Sequence, residues 1–306
     1  MERVTVYAPG SSSNLGAGFD CLGLALDGSG DRVTAVRSTH AGVRVVSVSD
    51  PRIPLESTRN TAALAAMGVL RRAGEEFGIE LEIQKGLPLA AGLGGSAASA
   101  VAGAVAAKAL VQEPLSRDVL LAAALEAEAA VSGGRHADNV APSLLGGAVL
   151  VASQEPLRFT TVRVHPSFSF VLVTPDYTVE TAKARAVLPG SVSRQDAVEQ
   201  AAHLAGLVLG LERGDPDLIR DCMIDRIAEP ARTALFPGYA AAFAAGVDAG
   251  AAGVAVSGAG PTLVAVVAGR TAAPVARAMV DAFARSGHAA TSRETRVDKV
   301  GARIAG

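Results

Sequence analysis

An uncharged stretch at residues 86–107 constrains the fold of this chain more than any other sequence feature. It reads GLPLAAGLGGSAASAVAGAVAA and lies between Lys85 and Lys108, so it consists almost wholly of small or apolar residues. The preceding segment 79–84, IELEIQ, alternates apolar and polar side chains, which predicts a strand with one buried face. The small residues at 96–107 indicate a helix. The sequence therefore predicts a strand, a glycine-rich loop and a helix in succession.

The loop between this strand and this helix has the features of an anion-binding site. Gly92, Gly94 and Gly95 let the backbone turn sharply and approach a ligand without a Cβ atom in the way. Ser96 stands where a helix N-cap is expected, so free backbone N–H groups and the positive end of the helix dipole would face the loop. A phosphate group suits that arrangement.

The loop sequence by itself leaves more than one interpretation open. A Walker A loop is excluded, because that pattern ends in Gly-Lys-Ser or Gly-Lys-Thr and this loop has no lysine at that place. The dinucleotide fingerprint G-x-G-x-x-A matches residues 92–97, and Glu113 follows a predicted short strand at 109–111. Against this match, residues 85–91, which include Pro88, separate the preceding strand from the first glycine. A glycine- and alanine-rich helix packed in a core is the remaining interpretation.

Composition limits the size and the partners of the protein. The 306 residues suffice for one large domain or two ordinary ones, and 49% hydrophobic residues suffice for a core. A formal charge of −2 gives no electrostatic reason to expect nucleic acid or an anionic membrane as partner, so small ligands are expected. Cys21 and Cys222 form no metal-binding spacing, and residues 1–10 lack the pattern of a signal peptide. These features favour a cytoplasmic protein.

A second glycine-rich segment, PGSSSNLGAGFD at residues 9–20, follows the first predicted strand. Its composition predicts a loop whose backbone and hydroxyl groups are free to bind a ligand, and an ordinary polar turn has the same composition. Two further strands joined by a turn at 27–30 are predicted after it. The pattern NTAALAAMGVLRR predicts a helix at 60–72 that stops at Gly74.

Two acidic residues are unusual in the helix predicted at 117–131, for which Ser116 is the expected N-cap. Glu126 and Glu128 lie near the C-terminal end, where the helix dipole disfavours a carboxylate. A carboxylate at that place is either held by a cation or simply solvated.

His136 and Asp138 follow this helix in a predicted loop at 132–139. No further His or Cys nearby in the sequence completes a transition-metal set, so hydrogen bonding to a substrate fits them better. The next segment, VAPSLLGGAVLVA, predicts a turn and a strand.

A change of pattern at residues 153–166 predicts a boundary between two domains, 1–160 and 161–306. The second domain alternates strands and helices. Its strands are predicted at 168–174, 253–256 and 263–267, and its helices at 194–212, 215–227, near 239–249 and up to 285. The loop SGAGPT separates the last two of these strands.

Three glycine-rich loops in this order resemble the signature motifs of the GHMP kinases, the family of galactokinase and mevalonate kinase. The loops are PGSSSNLGAGFD, PLAAGLGGSAAS and SGAGPT, and the resemblance continues through RHADNVAPSLLGG, Thr181 with Arg185, EPAR and FPGY. Spaced matches in the family's order are far more specific than any one loop. The chain departs from the usual motifs at Ser13, where alanine is usual, and at Gly95, where serine is usual.

The resemblance implies an α+β fold with the two domains of a GHMP kinase. The N-terminal ATP-binding domain would resemble the second domain of ribosomal protein S5, and the C-terminal domain would be ferredoxin-like. The implied activity is ATP-dependent and Mg²⁺-dependent phosphorylation of a small-molecule hydroxyl, and the most similar members act on L-homoserine on the route to threonine. No nucleic acid or membrane partner is expected, and a homodimer is left open.

The resemblance also assigns residues to ATP and Mg²⁺. The second loop would surround the ATP phosphates, with Asn60 near the adenine. The residues concerned are Asn60, Pro88, Leu89, Ala90, Ala91, Gly92, Leu93, Gly94, Gly95, Ser96, Ala97 and Ala98. Ser96 and Glu128 would hold Mg²⁺ and are catalytic by this resemblance, whereas Glu126 would be solvated.

The third catalytic residue implied is Asn139, which would orient the attacking hydroxyl because an amide cannot accept a proton. The substrate pocket implied by the resemblance consists of Asn14, Asp20, His136, Asp138, Thr181, Arg185, Arg232 and Gly260. Arg185 and Arg232 would bind the carboxylate of an amino acid, or would be ordinary surface charges. Asp20 or Asp138 would bind its ammonium group.

Three other functions stay open at this point. Another GHMP kinase would act on mevalonate or a sugar, and a pocket with two arginines disfavours a sugar. A non-catalytic GHMP-like sensor would bind the same ligands without turnover, and intact Ser96 and Glu128 disfavour it. A dinucleotide-binding protein would bind NAD and transfer no phosphoryl group.

Overall fold

Two sheets and the helices that cover them make up the computed structural model, which describes residues 2–269 and 272–305. The strands are β1 (Arg3–Asn14), β2 (Gly18–Ser38), β3 (Val43–Val48), β4 (Gly78–Gln84), β5 (Ala148–Gln154), β6 (Leu157–Val162), β7 (Phe168–Pro175), β8 (Gly253–Val256), β9 (Leu263–Ala268), β10 (Ala290–Thr295) and β11 (Arg303–Ile304). The helices are α1 (Thr61–Ala73), α2 (Gly95–Leu110), α3 (Arg117–Ser132), α4 (Ala137–Leu145), α5 (Thr181–Ala186), α6 (Arg194–Arg213), α7 (Pro216–Cys222), α8 (Ala228–Arg232), α9 (Tyr239–Asp248) and α10 (Ala272–Arg285).

The first sheet has seven strands in the order β11-β1-β2-β4-β3, and β5 and β6 extend it from β2. β3 runs parallel to β4, and the chain between them passes through α1. The helices α1 to α4 bury their small residues together with the apolar face of this sheet. Gly103 of α2 allows a close approach to α1, because a Cβ atom there would lie 2.3 Å from the Ala62 carbonyl oxygen.

The second sheet has four antiparallel strands in the order β10-β7-β9-β8. Helices connect β7 to β8 and β9 to β10, and a short loop connects β8 to β9, so the topology is βαββαβ. Phe170 and Phe283 are fully buried in this half of the chain. The predicted α+β fold with a ferredoxin-like second half is confirmed.

The centre of the chain folds as a strand, a loop and a helix, as predicted, but the predicted N-cap is wrong. α2 begins at Gly95 with Gly94 as its N-cap in the left-handed region, so Ser96 lies inside the first turn. Ser116 is the N-cap residue of α3, as predicted, although its side chain makes no capping hydrogen bond. The strand predicted at 109–111 is also wrong, because α2 continues to Leu110. Without that strand the dinucleotide pattern loses its context.

The first glycine-rich segment is mostly strand and not loop. β1 continues to Asn14 and β2 starts at Gly18, so only the three residues between them form a turn. β2 is one strand through residues 27–30, where a turn was predicted, because pairing with β1 skips from Ala25 to Gly30 at a bulge. The serines of β1 are buried and hydrogen-bonded, which explains how a polar sequence forms a central strand.

Other differences arise where long-range contacts override the local pattern. α4 stands where a loop and a turn were predicted, and it contains Pro142 inside the helix. The helix predicted at 215–227 stops at Cys222, because the Asp225 carboxylate caps the next helix, α8. The predicted domain boundary after residue 160 falls inside β6, and β11 adds to the first sheet, so the boundary stays a prediction.

Candidate active site

One cavity of about 260 Å³ brings nearly all of the predicted site residues together. Those lining it are Asn14, Asp20, Asn60, Pro88, Leu89, Ala90, Ala91, Gly92, Leu93, Gly94, Gly95, Ser96, Ala97, Glu128, His136, Asp138, Asn139, Thr181, Arg185 and Arg232. Ala98 does not line it but is buried inside α2. Gly260 does not line it either, whereas its neighbours Gly258 and Ala259 do.

The loop before α2 is locked against β1 and against the loop at 257–262. Gly92 has a positive φ, and a Cβ atom there would lie 2.2 Å from the Ser257 carbonyl oxygen. Gly94 also has a positive φ, and a Cβ atom there would lie 2.0 Å from the Ser11 Oγ. The Ser257 hydroxyl donates to the Gly92 carbonyl at 2.7 Å. Only glycine satisfies both the backbone conformation and the space at these two positions.

The first turn of α2 faces the cavity with backbone donors. Ala98 N–H donates to the Gly94 carbonyl at 2.9 Å, which closes the first helical turn. The N–H groups of Gly95, Ser96 and Ala97 therefore precede the intrahelical ladder, and these three residues line the cavity. An anion is stabilised there by the N–H groups and by the helix dipole.

A buried lysine lies directly beneath this turn. Lys85 Nζ contacts Asp31 Oδ2 and donates to the Gly95 carbonyl at 2.8 Å and to Ser99 Oγ at 3.0 Å. Ser99 Oγ donates to Asp31 Oδ2 at 2.6 Å, and Gly86 N–H donates to Asp31 Oδ1 at 3.1 Å. The exposed fractions of the Lys85 and Asp31 side chains are 7% and 0%. This cluster joins β2, the end of β4 and the start of α2 by charged hydrogen bonds.

Glu128 lies buried near the end of α3 with one free oxygen. Burial raises the pKa of its carboxyl, while hydrogen bonds from Ser96 and Ser132 and the charge of Lys85 lower it. Its Oε1 is buried without a hydrogen-bond partner, and the residue lines the cavity. A buried acceptor without a donor next to an anion site fits a cation.

The predicted solvation of Glu126 is only half right. Its side chain is half exposed, but Arg71 and Arg72 of α1 both pair with it. Residues two apart on a helix face different directions, so Glu126 faces the arginines and Glu128 faces the cavity.

Asp20 and Arg185 form an ion pair across the cavity. Arg185 Nη1 and Nη2 donate to the two Asp20 carboxylate oxygens at 3.0 and 2.8 Å. Arg185 Nη2 also lies 3.2 Å from His136 Nδ1. Burial, followed by the Arg185 charge, lowers the pKa of His136, and its Nε2 is buried without a partner. The Asp20 backbone has a φ of 57°, and its N–H donates to Asn14 Oδ1 at 3.1 Å.

Arg232 is buried and bonded to two backbone carbonyls. Its Nε donates to Ala184 O at 2.9 Å and its Nη1 to Gly258 O at 3.2 Å. Asn14 Nδ2 donates to the same Gly258 carbonyl at 2.8 Å. The guanidinium lies 5.2 Å from the centre of the Phe19 ring. Burial lowers the pKa of Arg232, and so does the neighbouring Arg185 charge.

Asp138 and Asn139 begin α4 beside the serines of β1. Asn139 Oδ1 accepts from Ser11 Oγ at 2.9 Å, and Asn139 Nδ2 donates to Ser13 Oγ at 3.0 Å. Burial raises the pKa of Asp138 to about 6, helped by the Asp20 charge and opposed by a hydrogen bond from Ser13. The hydroxyl of Ser13, where the family motif has alanine, therefore fixes both residues.

Asn60 and Thr181 occupy helix starts at the rim of the cavity. Asn60 is the N-cap of α1 and accepts from the N–H groups of Ala62 and Ala63, and its Nδ2 donates to Pro54 O at 2.9 Å. Thr181 is the first residue of α5, the helix that carries Arg185. Both the oxygen and the nitrogen of the Asn60 amide are therefore hydrogen-bonded to backbone groups of the protein.

Sequence reasoning missed six polar residues that line the cavity: Ser13, Arg59, Thr61, Lys85, Ser99 and Ser132. Lys85 stands immediately before the uncharged stretch, so a lone lysine next to a phosphate loop was the available signal. Ser99 lies three residues after Ser96 on the same helix face, which was a second signal. Asp31, their buried partner, lies far away in the sequence and gave none.

Within residues 2–269 and 272–305, no group of three or more His, Cys, Asp or Glu side chains could hold a metal ion. A Mg²⁺ ion bound with nucleotide phosphates needs only one or two carboxylates, which Glu128 can supply. No helix in the described part of the chain has the length and apolar character to cross a membrane.

Comparisons with known proteins agree over the whole chain. The sequence models described as GHMP kinases N terminal domain and GHMP kinases C terminal match residues 60–147 and 207–285. A homoserine kinase of Xylella fastidiosa (strain 9a5c) is 41% identical over 307 residues, covering 99% of this chain and 94% of that protein. A homoserine kinase of Halorubrum lacusprofundi is 41% identical over 298 residues, covering 97% of each.

Solved structures extend this agreement to the fold. The crystal structure of homoserine kinase from Cytophaga hutchinsonii ATCC 33406 matches with a TM-score of 0.95 and 37% identity, covering 100% of this chain and 98% of that one. L. major mevalonate kinase in complex with R-mevalonate matches with a TM-score of 0.68 and 16% identity over 95% of each chain, which shows a shared fold alone.

The glycine-rich loops around one cavity, the two sheets and the family matches define the class: this chain belongs to the GHMP kinases and is an ATP-dependent small-molecule kinase. Within that family it belongs with the homoserine kinases, since relatives of that kind share about 40% of its residues over nearly its full length.

Proposed function

We propose that this protein transfers the γ-phosphate of ATP to the side-chain hydroxyl of L-homoserine, giving O-phospho-L-homoserine and ADP in threonine biosynthesis. The observation that carries the proposal is a single cavity with two unlike walls. One wall offers the backbone donors of α2 and the carboxylate of Glu128, and the other offers the ion pair of Asp20 and Arg185. A nucleotide suits the first wall and an amino acid zwitterion suits the second.

On the phosphate wall, the loop and the first turn of α2 would bind the ATP phosphates through backbone N–H groups. Lys85 would hold the Gly95 carbonyl, and so the first turn, in place beneath them. Ser96 and the free Oε1 of Glu128 would hold Mg²⁺. When bound, this ion would neutralise charge that develops on the transferred phosphoryl group. Glu128 would keep its acceptor oxygen fixed because Ser132 and Ser96 orient the carboxylate.

On the substrate wall, Arg185 would exchange its partner Asp20 for the carboxylate of homoserine, and Arg232 would add its positive charge. Asp20, released from Arg185, and the buried Asp138 would then face the ammonium group. Each charge of the zwitterion would thus replace one member of the existing pair, so little uncompensated charge is buried.

Asn139 would orient the attacking hydroxyl without accepting its proton. Both ends of its amide are fixed, by Ser11 on one side and Ser13 on the other. Transfer through a loose transition state depends mainly on alignment and charge neutralisation, so a strong base is not essential. A cytoplasmic location and a homodimer stay predictions.

The experiment is ADP release by the purified protein with Mg²⁺ and ATP, with and without L-homoserine. Comparison substrates are L-threonine, L-serine, mevalonate and galactose. Homoserine-dependent turnover in the usual kinase range, about 1 to 100 per second, is expected. ATP binding without stimulation by homoserine would contradict the proposal and favour another GHMP substrate or a sensor. Omission of Mg²⁺ should abolish turnover.

A further inference from the structure

A half-buried glutamate outside the cavity, Glu229, links three elements behind the substrate wall. It belongs to the EPAR motif on α8, and the proposed chemistry leaves it unused. Its Oε1 accepts from Val256 N–H at 2.7 Å, and its Oε2 accepts from the Tyr239 hydroxyl at 2.8 Å. Val256 ends β8 and Tyr239 begins α9, so one carboxylate ties these two elements to α8.

Glu229 is connected to the substrate wall along two paths: its own helix α8 and its partner Val256. Arg232 follows Glu229 by three residues, about one helical turn, on α8. Gly258, whose carbonyl accepts from Arg232 Nη1 at 3.2 Å, follows Val256 by two residues. Glu229 therefore holds both sides of the Arg232–Gly258 hydrogen bond, and Gly258 in turn accepts from Asn14 of the first glycine-rich segment.

α8 depends on side-chain contacts for its position. It has five residues, too few for the intrahelical hydrogen bonds to fix it alone. The Asp225 carboxylate caps its start, accepting from the N–H groups of Ala228 at 2.9 Å and Glu229 at 3.0 Å. Glu229 is then its anchor to the second sheet.

Removing this carboxylate from water disfavours its charged form, and hydrogen bonds compensate for part of that loss. Burial raises the pKa of Glu229 to about 7, and the Asp225 charge adds to this, while the Val256 and Tyr239 hydrogen bonds and the Arg232 charge oppose it. A buried polar group is tolerated when its hydrogen bonds are satisfied, as both oxygens of Glu229 are.

We propose that Glu229 is a positioning residue for the amino-acid substrate: through Val256 and Tyr239 it holds Arg232 and the loop at 257–262 where the substrate carboxylate binds. It touches neither ATP nor the reacting atoms. The inference rests on the proposed function, since it assigns Arg232 to the homoserine carboxylate.

The test is the steady-state kinetics of Glu229→Ala and Glu229→Gln, with homoserine and ATP varied separately. Glu229→Ala should raise KM for homoserine at least about tenfold, because it leaves two donors unpaired. KM for ATP and kcat should change less than KM for homoserine, because the phosphate loop is also held by β1, through Ser11 N–H and the Leu93 carbonyl, and by Lys85. Glu229→Gln should restore KM to within about threefold of wild type, because its amide accepts from Val256 N–H and donates to the Tyr239 oxygen.

Two matched controls separate positioning from general damage. Glu199→Ala removes a carboxylate of α6 that pairs with Arg226 at 2.9 Å. Arg226 lies two residues before α8, and this variant should leave all constants unchanged. Tyr239→Phe should raise KM for homoserine about threefold, because Glu229 loses one donor. Tyr177→Phe, which loses a hydrogen bond to Pro237 O at 2.9 Å, should not.

Each outcome decides for or against the inference. An unchanged homoserine KM in Glu229→Ala, an equal loss in Glu229→Gln, or an equal change in the ATP and homoserine constants would overturn it. If Glu229→Ala does not fold, as judged by circular dichroism, the Glu229→Gln and Tyr239→Phe constants decide in the same way. Wild-type protein that neither phosphorylates homoserine nor binds it in calorimetry would refute the proposed function, and the inference would fall with it.

Discussion

The two walls of the cavity are built in opposite ways. The phosphate wall comes mainly from one continuous stretch, the loop and helix at 86–99, and its expected donors are backbone N–H groups. The substrate wall comes from five separate segments around residues 14–20, 136–139, 181–185, 232 and 258–259, and its groups are charged side chains. One wall is a local conformation, whereas the other is a product of tertiary packing.

The walls also differ in how their charges are satisfied. On the phosphate wall the buried cation, Lys85, is already neutralised by Asp31 and directs its hydrogen bonds to the helix start. On the substrate wall Arg185 and Asp20 neutralise each other, with side chains 36% and 41% exposed, so a ligand can separate them. The arrangement on the phosphate wall is rigid and suits phosphate groups, which are the same in every turnover. The arrangement on the substrate wall can exchange partners and so select a zwitterion.

The largest effect should follow from removing the carboxylate of Glu128 on the phosphate wall, whose Oε1 has no hydrogen-bond partner. Glu128→Gln should lower kcat by about a hundredfold, roughly 3 kcal/mol, because a fixed charge-stabilising group is lost. The KM for homoserine should change little. Since burial raises the pKa of Glu128, the neutral glutamine should not lower the melting temperature. Glu126→Gln, on the same helix but paired with arginines, is the control and should keep full kcat.

The conformation of the phosphate loop should matter next. Gly94→Ala should raise KM for ATP about thirtyfold, because the added Cβ meets Ser11 Oγ and the loop must shift by tenths of an ångström or more. Gly74→Ala is the matched control: Gly74 has a similar φ of 68° but nothing within 4 Å of its Cβ position. It should lower stability and leave KM for ATP unchanged. Equal kinetic losses in both variants would mean that backbone strain alone matters.

Removing one charge of the Asp20–Arg185 ion pair on the substrate wall should give a smaller effect. Asp20→Asn should raise KM for homoserine about tenfold while KM for ATP stays the same, because one charge on the ammonium side is removed. Asp50→Asn removes a carboxylate outside the cavity that also accepts two hydrogen bonds from one arginine, from Nε and Nη2 of Arg52, and should change neither constant. A raised ATP constant in Asp20→Asn would show that the two walls are coupled.

The smallest effect concerns pH and the buried Asp138, whose pKa lies near 6. The ionised form is the one that would bind an ammonium group, so kcat/KM for homoserine should fall to about half its plateau at pH 6 and about a tenth at pH 5. A folded pKa above the unfolded value makes protonation stabilise the fold between pH 3.8 and 6, so this group does not cause acid unfolding there. Asp138→Asn should raise KM for homoserine and remove this limb of the profile; an unchanged profile would contradict the assignment.

The sequence determined the centre of this protein and its family. The strand, loop and helix at 79–110 follow from alternation, glycine and small residues, which act between neighbours in the chain. The order of the three glycine-rich loops and the EPAR and FPGY motifs then indicated the GHMP fold, which the sheets and the relatives confirm.

Tertiary structure alone decided the rest. The serine-rich sequence of β1 is typical of a loop but forms a buried strand. It does so because the hydroxyls of its serines form hydrogen bonds with Asn139 and Ser257 from distant segments. The pairing of Lys85 with Asp31 and of Arg185 with Asp20 spans 54 and 165 residues of chain. Such contacts depend on how the whole chain closes, and no local pattern of residues encodes which distant partner will satisfy a buried charge.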